Sequence, residues 1–157
     1  MIQVRVTQSG TPTTAQLTAF KQYASVPDGS QDVMLGALLK QAMLAVQEYS
    51  DRALLQCTLE LVITDVPAGE RVRLYQGAAA VTSVTDETGA SVEFELLPDG
   101  LYLKRSCHAI KVVYTNTVNE SEAAKLTPVV WQYGTALYDG AEPKDQMAIL
   151  KTCYGLL

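Results

Sequence analysis

The stretch "EYSDRALLQCTLEL", residues 48–61, marks the point where a helical spacing of apolar residues gives way to a strand spacing with almost no loop between. Up to Tyr49, apolar positions recur every three or four residues; from Thr58 they alternate, with Leu59 and Leu61 on one side. The same stretch holds Cys57, the charge pair Asp51 and Arg52, and the apolar run Ala53, Leu54, Leu55. It is therefore either a reactive site or a joint between a helical and a β part, and its surroundings decide which.

Upstream, "SQDVMLGALLKQAMLAVQEYS" places Leu35, Leu38, Leu39, Ala42, Val46 and Tyr49 at helical spacing, and Asp32 suits the positive end of the helix dipole. Met34, Met43 and Leu44 widen the apolar surface beyond one stripe, which predicts a helix touching more than one neighbour. A central helix in a small monomer would look the same, and the pattern leaves both open. Before it, "AQLTAFKQYA" predicts a short helix with Leu17, Phe20 and Ala24 on one face, capped at Thr13 or Thr14. Pro27 and Gly29 break the chain between the two helices. At the start, "IQVRVT" alternates Ile2, Val4 and Val6 with polar residues, which predicts a half-buried strand over 2–7.

Downstream, "TLELVIT" and "RVRLY" alternate, with Val72 and Leu74 inward, and "AVTSVTDETGASVEFELL" predicts two strands around a turn at Asp86–Gly89. A second tight turn falls at Pro98–Gly100, and "IKVVYT" closes the β region. Short strands joined by hairpins predict an antiparallel sheet or a small barrel. "KLTPVVWQYGTALYDG" then predicts a helix with Thr127 as cap and Pro128 at its first position, and Pro143 opens a last helical segment. The expected architecture is α+β in a single domain, residues 1–157. It comprises a helical bundle (13–50 and 127–154, with a long central helix plus C-terminal helices), an inserted small antiparallel β-sheet of hairpins (55–115), and an extra N-terminal strand (2–7).

A chain of 157 residues fits one domain with a real core, and 48% hydrophobic against 18% charged residues excludes a disordered chain. The net charge of −5, without any Lys/Arg-rich run, argues against a protein that grips nucleic acid, since phosphate binding needs clustered cations. "MIQVRVTQSG" lacks the apolar core of a signal peptide, and no segment approaches the roughly eighteen apolar residues of a membrane span. Cys57, Cys107 and Cys153 are odd in number and widely spaced, which suits a reducing compartment rather than a disulfide framework. The expectation is a soluble intracellular protein.

No chemistry-bearing constellation emerges. His108, the only histidine, follows Cys107 directly, and neighbours in a strand point to opposite faces, so adjacency counts against a Cys–His pair. Cys57 has only Arg52 as a nearby base, and small buried cysteines are common. One histidine and scattered thiols give no metal-ligand spacing. "DETGASVE" and "NESEAA" do not match a calcium loop and read as a hairpin turn and a solvated helix approach. Catalytic, cofactor-binding and metal-binding residues are all expected to be none. The 8 tyrosines against 2 phenylalanines suit a surface that is wet in one state and covered in another. Met34, Met43, Leu44, Arg52, Tyr133 and Tyr138 are the candidate interface residues.

The order of these segments resembles a known family. "TAQLTAFKQYASVPDGSQDVMLGALLKQAMLAVQEYSDRALLQCTLEL" is similar to the opening of the head–tail connector (head-completion adaptor) proteins of tailed bacteriophages. In these a short helix, an acidic break and a long helix lead into an Arg-Ala-Leu stretch before the strands. Here that stretch is Ser50, Asp51, Arg52, Ala53 and Leu54, with Asp51 where the family usually has Gly. The similarity runs on through "VTSVTDETGASVEFELL" and "IKVVYT", with Thr115 and Asn116 where a small residue and Gly are common. It ends in "LTPVVWQYGTALYDG", where Leu137, Tyr138 and Asp139 match the end of the family's last helix, so that it covers residues 14–140.

The resemblance implies a non-enzymatic virion protein without cofactors. It would form a homo-oligomeric ring, commonly twelvefold, beneath the portal protein, extend the DNA channel without binding DNA specifically, and dock tail or stopper proteins. It would meet no membrane and would assemble in the host cytoplasm. Residues 48–61 would then be the joint between the long helix and the β part, with Arg52 as an ion-pair or helix-terminus partner and Leu54 and Leu55 packing the corner. The competing readings are another neck or tail-completion protein, a small cytoplasmic ligand-binding domain with a pocket under the hairpins, and an enzyme using Cys107 or Cys57.

Overall fold

In a computed structural model, residues 1–26 and 28–140 are described. They form three helices and seven strands in two compact units, each assembled from separated stretches of chain. One unit comprises Met1–Ser9 and Gln56–Thr117, and the other comprises Gly10–Leu55 and the chain from Val118 onward. The class is α+β, as the sequence predicts.

In the helical unit, α1 (Thr14–Tyr23) opens on Thr13. Its Oγ1 accepts from the Gln16 N–H at 3.1 Å while Gln16 Oε1 accepts from the Thr13 N–H at 2.8 Å, a reciprocal cap worth ~1 kcal/mol. Helix α2 (Asp32–Ser50) begins with Asp32, whose carboxylate lies 2.6 Å from Lys21 Nζ. Its buried row is Leu35, Leu39, Ala42, Met43, Val46, Gln47 and Ser50. Leu38 is only half-buried. Tyr49, expected on the apolar face, lies at the edge of that row, on the side of half-buried Leu38, and is 43% exposed.

Helix α3 (Glu120–Tyr138) starts about two turns before the expected Thr127 cap. Asn119 is the cap, its Oδ1 accepting from the Glu122 N–H at 3.2 Å, and Glu120 and Glu122 meet the positive end of the helix. "NESEAA", read from sequence as a solvated helix approach, supplies the cap and the first turn instead, its Glu and Ala residues favouring helix. Pro128 therefore lies inside the helix. It and Ala124, whose carbonyl loses its i→i+4 donor, are both exposed, so water can satisfy that oxygen. Helices α2 and α3 are each 19 residues long, so neither stands out as the long central helix of a bundle. The expected last helical segment after Pro143, with Cys153, lies outside the described residues.

In this unit Phe20 is fully buried against α3 at Gly134, where an added Cβ would stand 2.9 Å from the Phe20 ring. The Tyr23 and Trp131 rings lie 5.2 Å apart, and the Tyr138 hydroxyl donates to Gln31 Oε1 at 2.8 Å.

The β unit holds two antiparallel sheets. The larger contains β1 (Ile2–Ser9), β2 (Cys57–Val66), β4 (Ala78–Asp86) and β7 (Cys107–Asn116), in the order β1-β2-β7-β4. The smaller contains β3 (Arg71–Val72), β5 (Phe94–Leu97) and β6 (Gly100–Leu103), in the order β3-β6-β5. The alternation read from sequence fills one face of the larger sheet, with Cys57, Leu59 and Leu61 of β2 buried beside Ile110, Val112 and Tyr114 of β7.

Two predicted β features differ. "RVRLY" forms a strand only over Arg71–Val72. Beyond Val72 the Tyr75 N–H is taken by the Tyr114 hydroxyl at 3.3 Å instead of a ladder. The hairpin around Asp86–Gly89 has its turn, with Gly89 at φ +85°, but its arms stay paired only near Thr85 and Ser91. They then part into separate sheets: β4 runs along the ten-residue β7, and β5 folds back on β6 through the two-residue turn Pro98–Asp99.

Candidate functional site

The stretch 48–61 carries no reactive geometry. Asp51 closes α2 in the left-handed region (φ +56°, ψ +33°), a conformation that glycine adopts most readily. After it the backbone leaves the helix with two N–H groups in need of acceptors. Gln47 Oε1 takes both, from Leu54 at 2.9 Å and Leu55 at 3.0 Å, and Gln47 is fully buried. Ala53, Leu54 and Leu55 are buried with it. In the β unit, the Cys57 N–H donates to Asn116 Oδ1 at 2.6 Å, which fixes the start of β2 on the end of β7. The stretch is a joint, held at one end by a buried amide and at the other by a second.

Cys57 is buried. Cys107 is buried too and receives Arg105 Nη1 at 3.5 Å, whereas His108 faces solvent, 3.8 Å from the exposed Asp65 carboxylate. The two neighbours diverge as strand geometry demands. Among the described residues no three His, Cys, Asp or Glu side chains come close enough to share a metal ion. The most perturbed acid is Asp86 in the turn after β4. Thr88 Oγ1 donates to its Oδ1 at 2.6 Å, and Arg105 Nη2 lies 2.6 Å from its Oδ2. These contacts hold its carboxyl well below the usual carboxylate range, the hydroxyl first and the guanidinium second. The arrangement fastens a turn and leaves no proton donor poised over a cleft.

A hollow of about 460 Å³ lies along α1 at Thr18, Lys21, Gln22, Ser25 and Val26, in the helical unit and not beneath the hairpins. In the β unit a hollow of about 310 Å³ is bordered by Asp65, Pro67, Glu87, Ser106 and His108.

The candidate interface residues separate into distinct places. Met34 is 45% exposed on the first turn of α2, beside Val33 at 91%, and Tyr138 reaches that same end through Gln31. Leu44 is half-buried and, ten residues along the helix from Met34, about 15 Å away by helical rise. Arg52 is exposed past the helix C-terminus, Tyr133 is half-buried on α3, and Met43 points into the core at 6% exposure. Sequence reading missed Val33, Leu96 and Leu97, all exposed. Val33 shares a helix face with Ala37 and Leu44, and that spacing was the available signal.

Solved structures share this fold. A chain in the virion of a native gene transfer agent particle superposes with a TM-score of 0.64 at 17% identity, over 87% of this chain and 84% of its own. A chain in the neck of an empty gene transfer agent particle, computed with C6 symmetry, superposes with a TM-score of 0.62 at 18% identity, again over 87% and 84%. No protein-family model and no curated protein matches the sequence. At these identities the likeness is one of fold, an α+β fold that this chain shares with the two gene transfer agent chains.

Proposed function

We propose that this chain is a structural protein of the neck of a phage-type particle, a head–tail connector that assembles as a ring beneath the portal. The observation that carries the reading is the fold likeness over 87% of the chain to a protein of a C6-symmetric neck. It agrees with the order of segments over residues 14–140. Six-fold symmetry accommodates any ring whose subunit number is a multiple of six, the family's common twelve among them. The ring extends the DNA channel and presents its far face to tail or stopper proteins. The net charge of −5 supports a conduit wall that does not hold DNA, since counterion-release affinity would slow passage. Chemistry is not part of this role. The chain works in the virion and is assembled from the host cytoplasm. Met34 and Tyr138, with Val33 beside them, supply an apolar and aromatic contact at the start of α2, and Leu44, Arg52 and Tyr133 lie on further contact surfaces.

The test is light scattering after size exclusion across a concentration series, with negative-stain imaging of any large species and a pull-down on the portal protein. Closed rings, or a monomer retained by the portal, are the expected results. A monomer that ignores the portal and binds a small molecule would overturn the proposal in favour of a ligand-binding domain.

A further inference from the structure

Both ends of the larger sheet are open among the described residues. Among the described residues no strand pairs with the outer side of β1, and the outer side of β4 is met only at its last residues, where Thr85 bridges Ser91 and the Val92 N–H donates to the Val84 carbonyl. Ala78–Ser83 is left with a free edge. An edge of this kind is a template for a further strand, and proteins that stay monomeric guard it with lysine, proline, inward charge or bulges. From Ala78 to Thr85 there is no charge and no proline; two irregularities, at Ala78/Ala80 and Val81/Ser83, are its only interruption. β1 has one charge, Arg5, engaged by Glu60 of β2 at 3.0 Å, and one irregularity, between Val6 and Gln8, which leaves Ile2–Val6 in regular register. The apolar face thins toward both edges: Leu59, Leu61, Val112 and Tyr114 are fully buried, while Val4, Val6 and Val81 are half-buried and Ile2 is 56% exposed.

The topology says what fits. Every neighbour in the sheet is antiparallel, so the first and last of its four strands run in opposite directions. A second copy that keeps the same strand sense brings its β1 antiparallel to β4 of the first and leaves its own β4 free for a third. This is a heterologous contact, the kind that closes into a ring when the rotation allows. A two-fold pairing of like edges, or a different partner, would cover one edge of each copy and leave the other bare. We infer that β1 of one copy adds to the Ala78–Ser83 edge of the next, so that the larger sheets join around the ring. The inference rests on the ring reading above and names the surface that builds it.

The test uses the full chain with Cys153 replaced by serine, so that the remaining cysteines, Cys57 and Cys107, are buried ones. Gln3→Cys and Ala80→Cys, both at exposed positions, are made singly, checked for unchanged thermal unfolding, and co-expressed. A short bis-maleimide, tolerant of a register offset of a residue or two, is then applied and the products are identified by mass. A covalent dimer of one Gln3→Cys chain with one Ala80→Cys chain is expected from the co-expressed sample, with none from either variant alone. Dimers from a single variant would overturn the head-to-tail pairing. Rings seen by imaging without the mixed dimer would overturn it while leaving the ring reading intact. Neither rings nor mixed dimer, even with the portal protein present, would remove both.

Discussion

At the scale of single residues, the joint separates two kinds of contribution that lie next to each other in sequence. Leu54 is buried and Arg52 is exposed, so truncating the leucine leaves a cavity while truncating the arginine leaves water. Chemical denaturation of Leu54→Ala is expected to show a loss on the order of 2–5 kcal/mol, and of Arg52→Ala a change under about 0.5 kcal/mol. Leu54 was legible because three consecutive apolar residues between a helix and a strand have few places to go. Gln47 was not: a glutamine in the last turn of a helix reads as surface, and only the turn taken after Asp51 reveals two N–H groups converging on it. Asp86 is a second residue whose role is invisible without the fold, because Arg105 lies 19 positions away. Its carboxyl is held below its ordinary value in the folded chain, so between that value and the ordinary range near 4 the unfolded chain binds more protons. Stability contributed by Asp86 is then present above pH ~4 and is lost as pH falls toward the folded value. Asp86→Asn keeps an oxygen for the turn and removes the ion pair. Thermal unfolding from pH 5 down to pH 3, about the unfolded carboxylate range, should fall less steeply in that variant than in the parent.

At the scale of elements, the sequence specified which segments are helix or strand more firmly than where they begin or what they pair with. Strong periodicity placed α2, and the shared face of Leu17, Phe20 and Ala24 behind a threonine cap placed α1. Helix α3 was cut short because Pro128 was read as a beginning, when an exposed proline inside a helix needs only water for the carbonyl it strands. The β4–β5 hairpin was read from its turn alone, and a turn fixes the reversal of the chain but not how far the arms remain partners. Close packing between helices was the least legible, since a glycine shows nothing of what approaches it. Gly36 and Gly134 both lie within helices, yet a Cβ at Gly36 would meet nothing within 4 Å, while one at Gly134 would stand 2.9 Å from the buried Phe20 ring. Gly36→Ala is therefore expected to raise stability by about 0.5–1 kcal/mol through helix propensity. Gly134→Ala is expected to lower it, the overpacking cost of about 1–3 kcal/mol exceeding the same gain. A pair of melting curves decides the opposite signs.

At the scale of the whole molecule, the chain passes from one unit to the other three times, after Ser9, after Leu55 and after Thr117, so each unit depends on stretches far apart in sequence. The sequence order of strand, helices, strands and helices conveyed the class but not this interleaving. "IQVRVT" looked like an addition to the core pattern, and nothing in its own residues says that β2 is its partner. The structure makes it the outer strand of the larger sheet: Ile2 pairs with Ile63, Val4 with Leu61 and Val6 with Leu59. It is therefore part of the cover over two fully buried leucines as well as an edge available to a neighbour. These two roles make different demands. A detachable arm would leave the isolated chain unchanged when removed, whereas a strand of the sheet takes with it backbone hydrogen bonds of β2 and the half-burial of Val4 and Val6. Deleting residues 2–9 is expected to cost on the order of 3 kcal/mol, from partial burial of a few aliphatic side chains at ~1–1.5 kcal/mol each. Amide exchange should locate the damage: β2 loses protection and the β7 amides that face β4 keep theirs, because β4 still covers them. Equal stability and unchanged exchange in the truncated chain would mean that β1 contributes nothing until a second copy arrives.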